Sequence, residues 1–138
     1  MKNIICLLVS LMCACNPITF HKESVVDFTQ YQRVYVDLEE SDSLNRYIKE
    51  QLQQSSGFSE VVDAEQDADA ILKITLTYNL EADPDDEFIN VNVSFELYSA
   101  TGDRIDQGEY SASSLGYSEA KEDALDEVVN HYLGSYAI

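Results

Sequence analysis

The chain has 138 residues, of which 45% are hydrophobic, so it has room for one domain with an ordinary core. It carries 26 Asp and Glu residues against 8 Lys and Arg residues, a formal net charge of −18. A field of this sign repels the phosphates of nucleic acids, which excludes nucleic-acid binding. Most of these charges are expected to form a solvated surface.

The three cysteines, Cys6, Cys13 and Cys15, all lie at the amino terminus. The rest of the chain therefore has no thiol for a disulfide, a Cys-ligated metal or a nucleophile. This distribution excludes several classes of enzyme, and no cofactor is expected.

The first fourteen residues have the pattern of a signal peptide. Lys2 gives a short positive segment, and the apolar run 4–12 is far too short to span a bilayer, which takes about 20 residues. The run ends in Ala14-Cys15, with Met12 upstream, and this segment resembles the lipobox of bacterial prolipoproteins. The alternative is an ordinary signal peptide that is cleaved nearby and leaves a free thiol.

The lipobox resemblance implies that Cys15 carries the lipid and becomes the first residue of the mature protein. Two or three acyl chains hold a protein at a membrane far more firmly than one chain does. Residues 15–24 then form a lipidated tether, and residues 25–138 form a single domain. Asn16 is not the aspartate associated with inner-membrane retention, so the resemblance favours the outer membrane, with the periplasmic side preferred to the cell surface.

A strand followed by a helix is predicted at the start of the domain. Residues 34–38 alternate between apolar and other side chains, as a strand does. Asp42 or Ser43 is the expected N-cap of the helix. Its apolar stripe recurs at helical spacing and consists of Leu44, Tyr47, Ile48 and Leu52. Gly57 is expected to end the helix in a left-handed conformation, before a short strand at residues 58–62.

Two long strands follow, at residues 71–82 and 89–97, and each alternates apolar with polar side chains. The acidic segment Asp83–Glu87 joins them as a hairpin loop. It lacks the alternating ligands and mid-loop glycine of an EF-type calcium site, so a solvated loop is favoured over a cation site. Both readings of this loop stay open from the sequence.

A further strand is predicted from Arg104 to about Ser113, with a bulge at Gly108. Ser118 is the expected N-cap of a last helix. The buried stripe of that helix consists of Ala120, Ala124, Leu125, Val128 and Tyr132. The predicted fold is α+β, in the order β-α-β-β-β-β-α, with a mostly antiparallel sheet and both helices packed on its apolar face.

Several of these segments together resemble the amino-terminal domain of TolB-type periplasmic proteins and of small envelope lipoproteins of unknown function. They are the helix that ends in Ser56-Gly57-Phe58, the entry 68–72 into a long strand, and the Thr101-Gly102-Asp103 turn. The resemblance covers residues 30–136. It implies an accessory or assembly role in the cell envelope.

No catalytic constellation is evident. The two histidines, His21 and His131, lie in the tether and near the end of the last helix, and neither is part of a His-x-x-x-His pair. His131 is expected to act as a cation at a helix carboxyl terminus. The sequence has no Gly-x-Ser-x-Gly or Gly-rich phosphate motif. A small hydrolase and a cation- or ligand-binding lipoprotein are the alternatives to a non-catalytic role.

Uncharged polar residues on the two long strands form the candidate binding surface. Such groups exchange water for hydrogen bonds to a partner at a small net cost. The candidate face consists of Thr75, Thr77, Asn79, Asn90, Asn92 and Ser94. The sequence therefore predicts an envelope lipoprotein that contacts the membrane through Cys15 and a protein partner through this face. Simple solvent exposure of the face is the alternative.

Overall fold

The computed structural model describes residues 26–79 and 89–133. Its elements follow the predicted order β-α-β-β-β-β-α. They are β1 (Arg33–Leu38), α1 (Asp42–Ser55), β2 (Glu60–Val62), β3 (Ala70–Asn79), β4 (Ile89–Ser99), β5 (Arg104–Ser114) and α2 (Tyr117–His131), with a 3₁₀ turn at Glu65–Asp67 between β2 and β3.

The five strands form one mixed sheet in the order β2-β1-β3-β4-β5. The two pairs β3–β4 and β4–β5 are antiparallel, as predicted, but β1 runs parallel to both β2 and β3. The sheet is therefore less antiparallel than expected. The reason is that α1 is a crossover connection, which returns the chain to the end of the sheet where β1 begins. Strand β2 therefore runs in the same direction as β1.

The α+β class and the packing of both helices on one face of the sheet are confirmed. We call this face the inner face. It holds the buried alternate residues of the long strands, which are Leu72, Ile74, Leu76, Val91, Val93, Phe95 and Leu97. Helix α1 contributes Leu44, Ile48 and Leu52 to the core, and α2 contributes every residue of its predicted stripe. No described element covers the opposite, outer face.

The N-cap of α1 differs from the prediction, whereas Gly57 follows the C-cap residue Ser56 as predicted but does not have the predicted conformation. Ser41 is the N-cap, and its Oγ accepts a hydrogen bond from the Leu44 N–H at 3.4 Å, so Asp42 lies in the first turn, where a carboxylate favours the helix dipole. The helix ends at Ser56 in an extended conformation, and Gly57 does not have the expected positive φ. A Cβ at Gly57 would lie 2.3 Å from the Phe28 ring, so close packing accounts for this glycine.

Helix α2 begins earlier than predicted. Gly116 is its N-cap, in an extended conformation, and Ser118 is already its second residue, so the predicted Ser118 cap is wrong. The Ser114 hydroxyl instead donates to Glu119 Oε2 at 2.9 Å. The described helices include none that is long and apolar enough to cross a membrane.

The bulge in β5 lies at Ile105 and not at Gly108. Leu97 pairs with Asp106, whereas its neighbour Tyr98 pairs with Arg104, so Ile105 is the extra residue. Gly108 pairs regularly with Phe95, and a Cβ there would lie 2.3 Å from the Phe95 ring. The bulge turns Arg104 to the outer face and leaves Asp106 on the inner face.

The predicted signal peptide 1–14, Cys15, the tether 15–24 and the acidic loop Asp83–Glu87 lie outside the described residues. Lipidation at Cys15 and cation binding by this loop remain predictions.

Candidate functional site

Five of the six predicted polar residues form one continuous patch on the outer face. Thr75 pairs with Ser94, and Thr77 pairs with Asn92. Asn79 pairs with Asn90 through the backbone, and its side chain lies outside the described part of the chain. The side chains of Thr75, Thr77, Asn90 and Ser94 are exposed, and that of Asn92 is half-buried. The structure therefore brings the candidate residues together, as the alternation indicated.

Strand β5 adds two serines that the sequence interpretation missed. Ser111 lies opposite Asn92, and Ser113 lies opposite Asn90. The signal was present in the alternation of residues 109, 111 and 113 with residues 108, 110 and 112, but it could be used only once β5 was known to pair with β4. We call the set Thr75, Thr77, Asn90, Asn92, Ser94, Ser111 and Ser113 the neutral patch.

Hydrogen bonds across the strands orient the two asparagines of the neutral patch. The Ser111 hydroxyl donates to Asn92 Oδ1 at 2.5 Å, and the Ser113 hydroxyl donates to Asn90 Oδ1. These bonds occupy the amide oxygens. Among the described residues, no acceptor is hydrogen-bonded to either amide nitrogen, so the patch presents amide donors to its surroundings.

Charged side chains occupy the other half of the outer face and pair with one another. Arg104 lies 3.9 Å from Glu96, which also accepts a hydrogen bond from the Tyr98 hydroxyl. The ammonium group of Lys73 lies over the Tyr98 ring, 5.1 Å from its centroid. The outer face is therefore divided into a neutral half and a half in which charges compensate one another, with Glu109 beside Ser94 at the margin.

A second polar cluster lies on the inner side of β5. The Asp106 carboxylate is buried, and its Oδ2 lies 2.8 Å from His131 Nε2. The other ring nitrogen, Nδ1, lies 2.8 Å from the Tyr110 hydroxyl. In a neutral imidazole this geometry assigns the proton to Nε2, which donates to Asp106, while Nδ1 accepts from Tyr110.

Tyr132 lies next to this cluster. Burial raises the pKa of its hydroxyl strongly, and the Asp106 carboxylate raises it further. Neither the Tyr132 hydroxyl nor Asp106 Oδ1 has a hydrogen-bond partner among the described residues. The Tyr132 ring packs against Phe95 and Phe58, with centroids 5.6 and 5.4 Å away.

The His131 ring has a different environment from the one predicted. It lies in the last turn of α2, as expected, but it packs edge-on against Phe95 and bonds to Asp106. In hydrolytic triads a histidine base lies between an aspartate that orients it and a serine hydroxyl. Here His131 lies between Asp106 and the phenol hydroxyl of Tyr110, and no described serine takes part. The cluster is a structural network that joins β5 to α2.

The described residues contain no group of three or more His, Cys, Asp or Glu side chains placed to hold a metal ion. The cation-binding alternative therefore depends on the acidic loop, outside the described part of the chain.

Comparison with known proteins identifies the class of fold. No protein-family model matches the sequence, and a search of curated proteins gives no significant match. Among solved structures, the fold resembles PelC from Paraburkholderia phytofirmans, which was crystallised as a dodecamer. The identity is 19%, the TM-score is 0.58, and the match covers 75% of this chain and 90% of PelC.

A second similar structure is a Xanthomonas campestris protein of the DUF330 family. It is 12% identical, with a TM-score of 0.50, and the match covers 76% of this chain and 83% of that protein. At these identities the likeness establishes the fold alone. The resemblance to TolB-type domains stays a prediction.

Proposed function

We propose that this protein is a lipid-anchored component of the bacterial envelope that works by contact, as an accessory or assembly part, and not by catalysis. Cys15 holds it at the outer membrane, facing the periplasm, and the neutral patch docks a protein partner. The observation that carries the proposal is the composition of the patch, seven uncharged hydrogen-bonding side chains on a sheet face that no described element covers.

The chemistry of the patch suits an interface better than a solvated surface. The chain has 26 acidic residues, and none lies within the patch, although Glu109 lies at its margin. Charge is costly to desolvate at the core of an interface, whereas amides and hydroxyls regain hydrogen bonds from the partner. The Asn90 and Asn92 amide nitrogens supply donors that are already oriented by Ser113 and Ser111.

The likeness to PelC makes a second copy of this chain one partner to test. PelC is described as a dodecamer, and it shares the fold of this chain over most of its length. Symmetric assemblies of one chain are the commonest oligomers of soluble proteins.

Photo-crosslinking tests the docking face. A photoreactive residue is placed in turn at Thr75, Thr77, Asn90 and Asn92 in cells, and adducts are identified by mass. Matched controls carry it on the exposed faces of the two helices, at Arg46, Glu50, Asp123 and Asn130. We expect adducts from the sheet positions alone, to an envelope protein or to a second copy. Adducts from the helix positions alone would contradict the docking face.

Metabolic labelling tests the anchor. Cells are grown with a radiolabelled fatty acid, and the wild type is compared with Cys15→Ser. We expect label on the wild type only. Equal labelling of the two proteins would contradict lipidation at Cys15.

A further inference from the structure

Among the described elements, one side of strand β3 has no neighbouring strand along its last five residues. The parallel ladder between β1 and β3 ends at the pair Leu38–Ile74, but β3 continues to Asn79, paired with β4 on its other side. Residues 75–79 therefore have no strand beside them where β1 would continue, within the described part of the chain. Five residues of strand span about 16 Å. An open edge of this kind can accept an extended segment through backbone hydrogen bonds.

A cavity of about 390 Å³ lies beside this edge, so there is room for an added segment. Its walls are the end of β1 and the loop after it on one side, and β3 on the other. The lining residues are Asp37, Leu38, Glu39, Glu40, Lys73, Ile74, Thr75 and Leu76.

The charges around the cavity favour a basic occupant. Asp37 and Glu39 are exposed, and neither forms an ion pair with a described residue. Lys73 also lines the cavity, but its ammonium group lies over the Tyr98 ring. Glu40 is bonded to the Tyr78 hydroxyl and lies 4.0 Å from Lys121. Asp37 pairs with Lys73 in the strand register, but neither Asp37 nor Glu39 forms an ion pair with a described residue, in a chain with a net charge of −18.

Aromatic side chains stand next to the same edge on the inner side. Tyr78 is 38% exposed and Tyr117 is 44% exposed, and their ring centroids are 6.2 Å apart. Lys121 already lies over the Tyr78 ring at 4.9 Å. Exposed rings of this size accept apolar or cationic side chains from a partner.

We propose that the edge of β3 at residues 75–79 binds an extended segment of a partner protein in which basic and apolar residues alternate. Alternate side chains of a strand point to opposite faces of the sheet. The basic residues then meet Asp37 and Glu39 on the outer side, and the apolar residues meet Tyr78 and Tyr117 on the inner side. The site shares Thr75 and Thr77 with the neutral patch, but it binds through the backbone edge of β3 and not through the outward-facing side chains.

A binding experiment with the mature chain in detergent tests the proposal. The probe is a fluorescein-labelled hexapeptide of alternating lysine and valine, followed by fluorescence anisotropy. Three peptides serve as comparisons. One has the same composition in two blocks, one has glutamate in place of lysine, and one is methylated on alternate backbone nitrogens. We expect the alternating peptide to bind at least about tenfold more tightly than each of the three. Equal binding of the block or methylated peptide would overturn strand addition.

Charge reversal locates the site. The double variant Asp37→Lys/Glu39→Lys should weaken binding about tenfold, since two favourable pairs of modest strength become unfavourable. The matched control is Glu60→Lys/Asp63→Lys, which changes the net charge equally on exposed residues at the other end of the sheet. Circular dichroism confirms that both variants are folded. An equal loss in the two variants, or no binding of the alternating peptide up to millimolar concentration, would overturn the proposal.

Discussion

Strand β5 carries polar side chains on both faces, and the two sets have opposite consequences. On the inner side, the buried Asp106 and the partly exposed His131 are bonded to each other and lie among aromatic rings. On the outer side, the hydroxyls and amides of the neutral patch bond to their neighbours and keep donors free for a partner. The buried set holds β5 to α2, whereas the exposed set is available for recognition. Buried polar groups are costly to disturb, while exposed ones are replaceable without loss of fold.

The largest effect is expected from His131→Phe. A phenyl ring fills the space of the imidazole among Phe95 and Tyr132 but leaves the Asp106 carboxylate buried without its partner. Breaking a buried ion or hydrogen-bonded pair in this way costs about 3–5 kcal/mol. The measurement is the free energy of unfolding from denaturant titration.

A double variant distinguishes the lost pair from lost packing. In Asp106→Leu/His131→Phe both polar groups are gone, so most of the stability should return, because a hydrophobic replacement of a buried pair is often near neutral. If the double variant is as unstable as the single one, the cluster contributes through shape and not through its hydrogen bonds.

The next effect is expected from Gly108→Ala, also on the inner side of β5. The new Cβ would lie 2.3 Å from the Phe95 ring, so the ring or the strand must shift. Overpacking of this kind costs about 1–3 kcal/mol. Ser111→Ala, on the outer side of the same strand, is the control and should change the free energy of unfolding by less than about 0.5 kcal/mol. Similar losses from both variants would remove the distinction between the two faces.

The sequence predicted the parts of the fold that depend on local periodicity. The alternation in β3 and β4 and the stripes of both helices are confirmed, because each pattern reflects one buried face. The parallel pairing of β1 was missed, since a local pattern does not show which strand lies beside it. The two glycines were misread for a similar reason. Gly57 and Gly108 make room for the remote rings of Phe28 and Phe95, not for a local turn.

The residues of the candidate site were likewise predicted where local periodicity reveals them and missed where it does not. The neutral patch was predicted on β3 and β4 because its residues alternate with apolar ones. Asp106 lies on the inner face in regular alternation with Gly108 and Tyr110, but it was missed because its partner, His131, lies 25 residues further along the chain. Sequence periodicity alone does not reveal such a contact.

A smaller, pH-dependent effect is expected from Asp69→Asn, at the end of the sheet where the described chain begins. Asp69 accepts hydrogen bonds from the Arg33 backbone at 3.0 Å and from the Arg33 guanidinium at 3.2 Å. Burial acts to raise the pKa of this carboxyl, but these bonds outweigh it and the pKa is lowered. The carboxylate therefore stabilises the fold above the usual pKa of aspartate, and that contribution is lost as the pH falls through the lowered value.

Thermal unfolding of Asp69→Asn and of the wild type across pH checks this sign. We expect the variant to melt at a lower temperature at neutral pH and the two curves to converge in acid. Asp103→Asn, an exposed aspartate in the Ser99–Arg104 turn, is the comparison. A difference that grows as the pH falls would contradict the assignment.

The smallest effect on stability is expected from Thr75→Ala/Asn92→Ala/Ser111→Ala, which removes the centre of the neutral patch. These side chains are exposed or half-buried and support no described core residue, so each change should cost no more than about 0.5 kcal/mol. If the patch is an interface, however, the same variant should lose the partner adducts obtained from the neighbouring crosslinking position at Asn90, because the remaining alanines offer no hydrogen bonds to exchange for water. The matched variant is Arg46→Ala/Asp123→Ala, which changes exposed helix residues and should leave both measurements unchanged. A stable triple variant with undiminished adducts would show that these polar groups serve only to solvate the sheet, whereas a large loss of stability would mean that the outer face, like the inner one, is part of what holds the fold together.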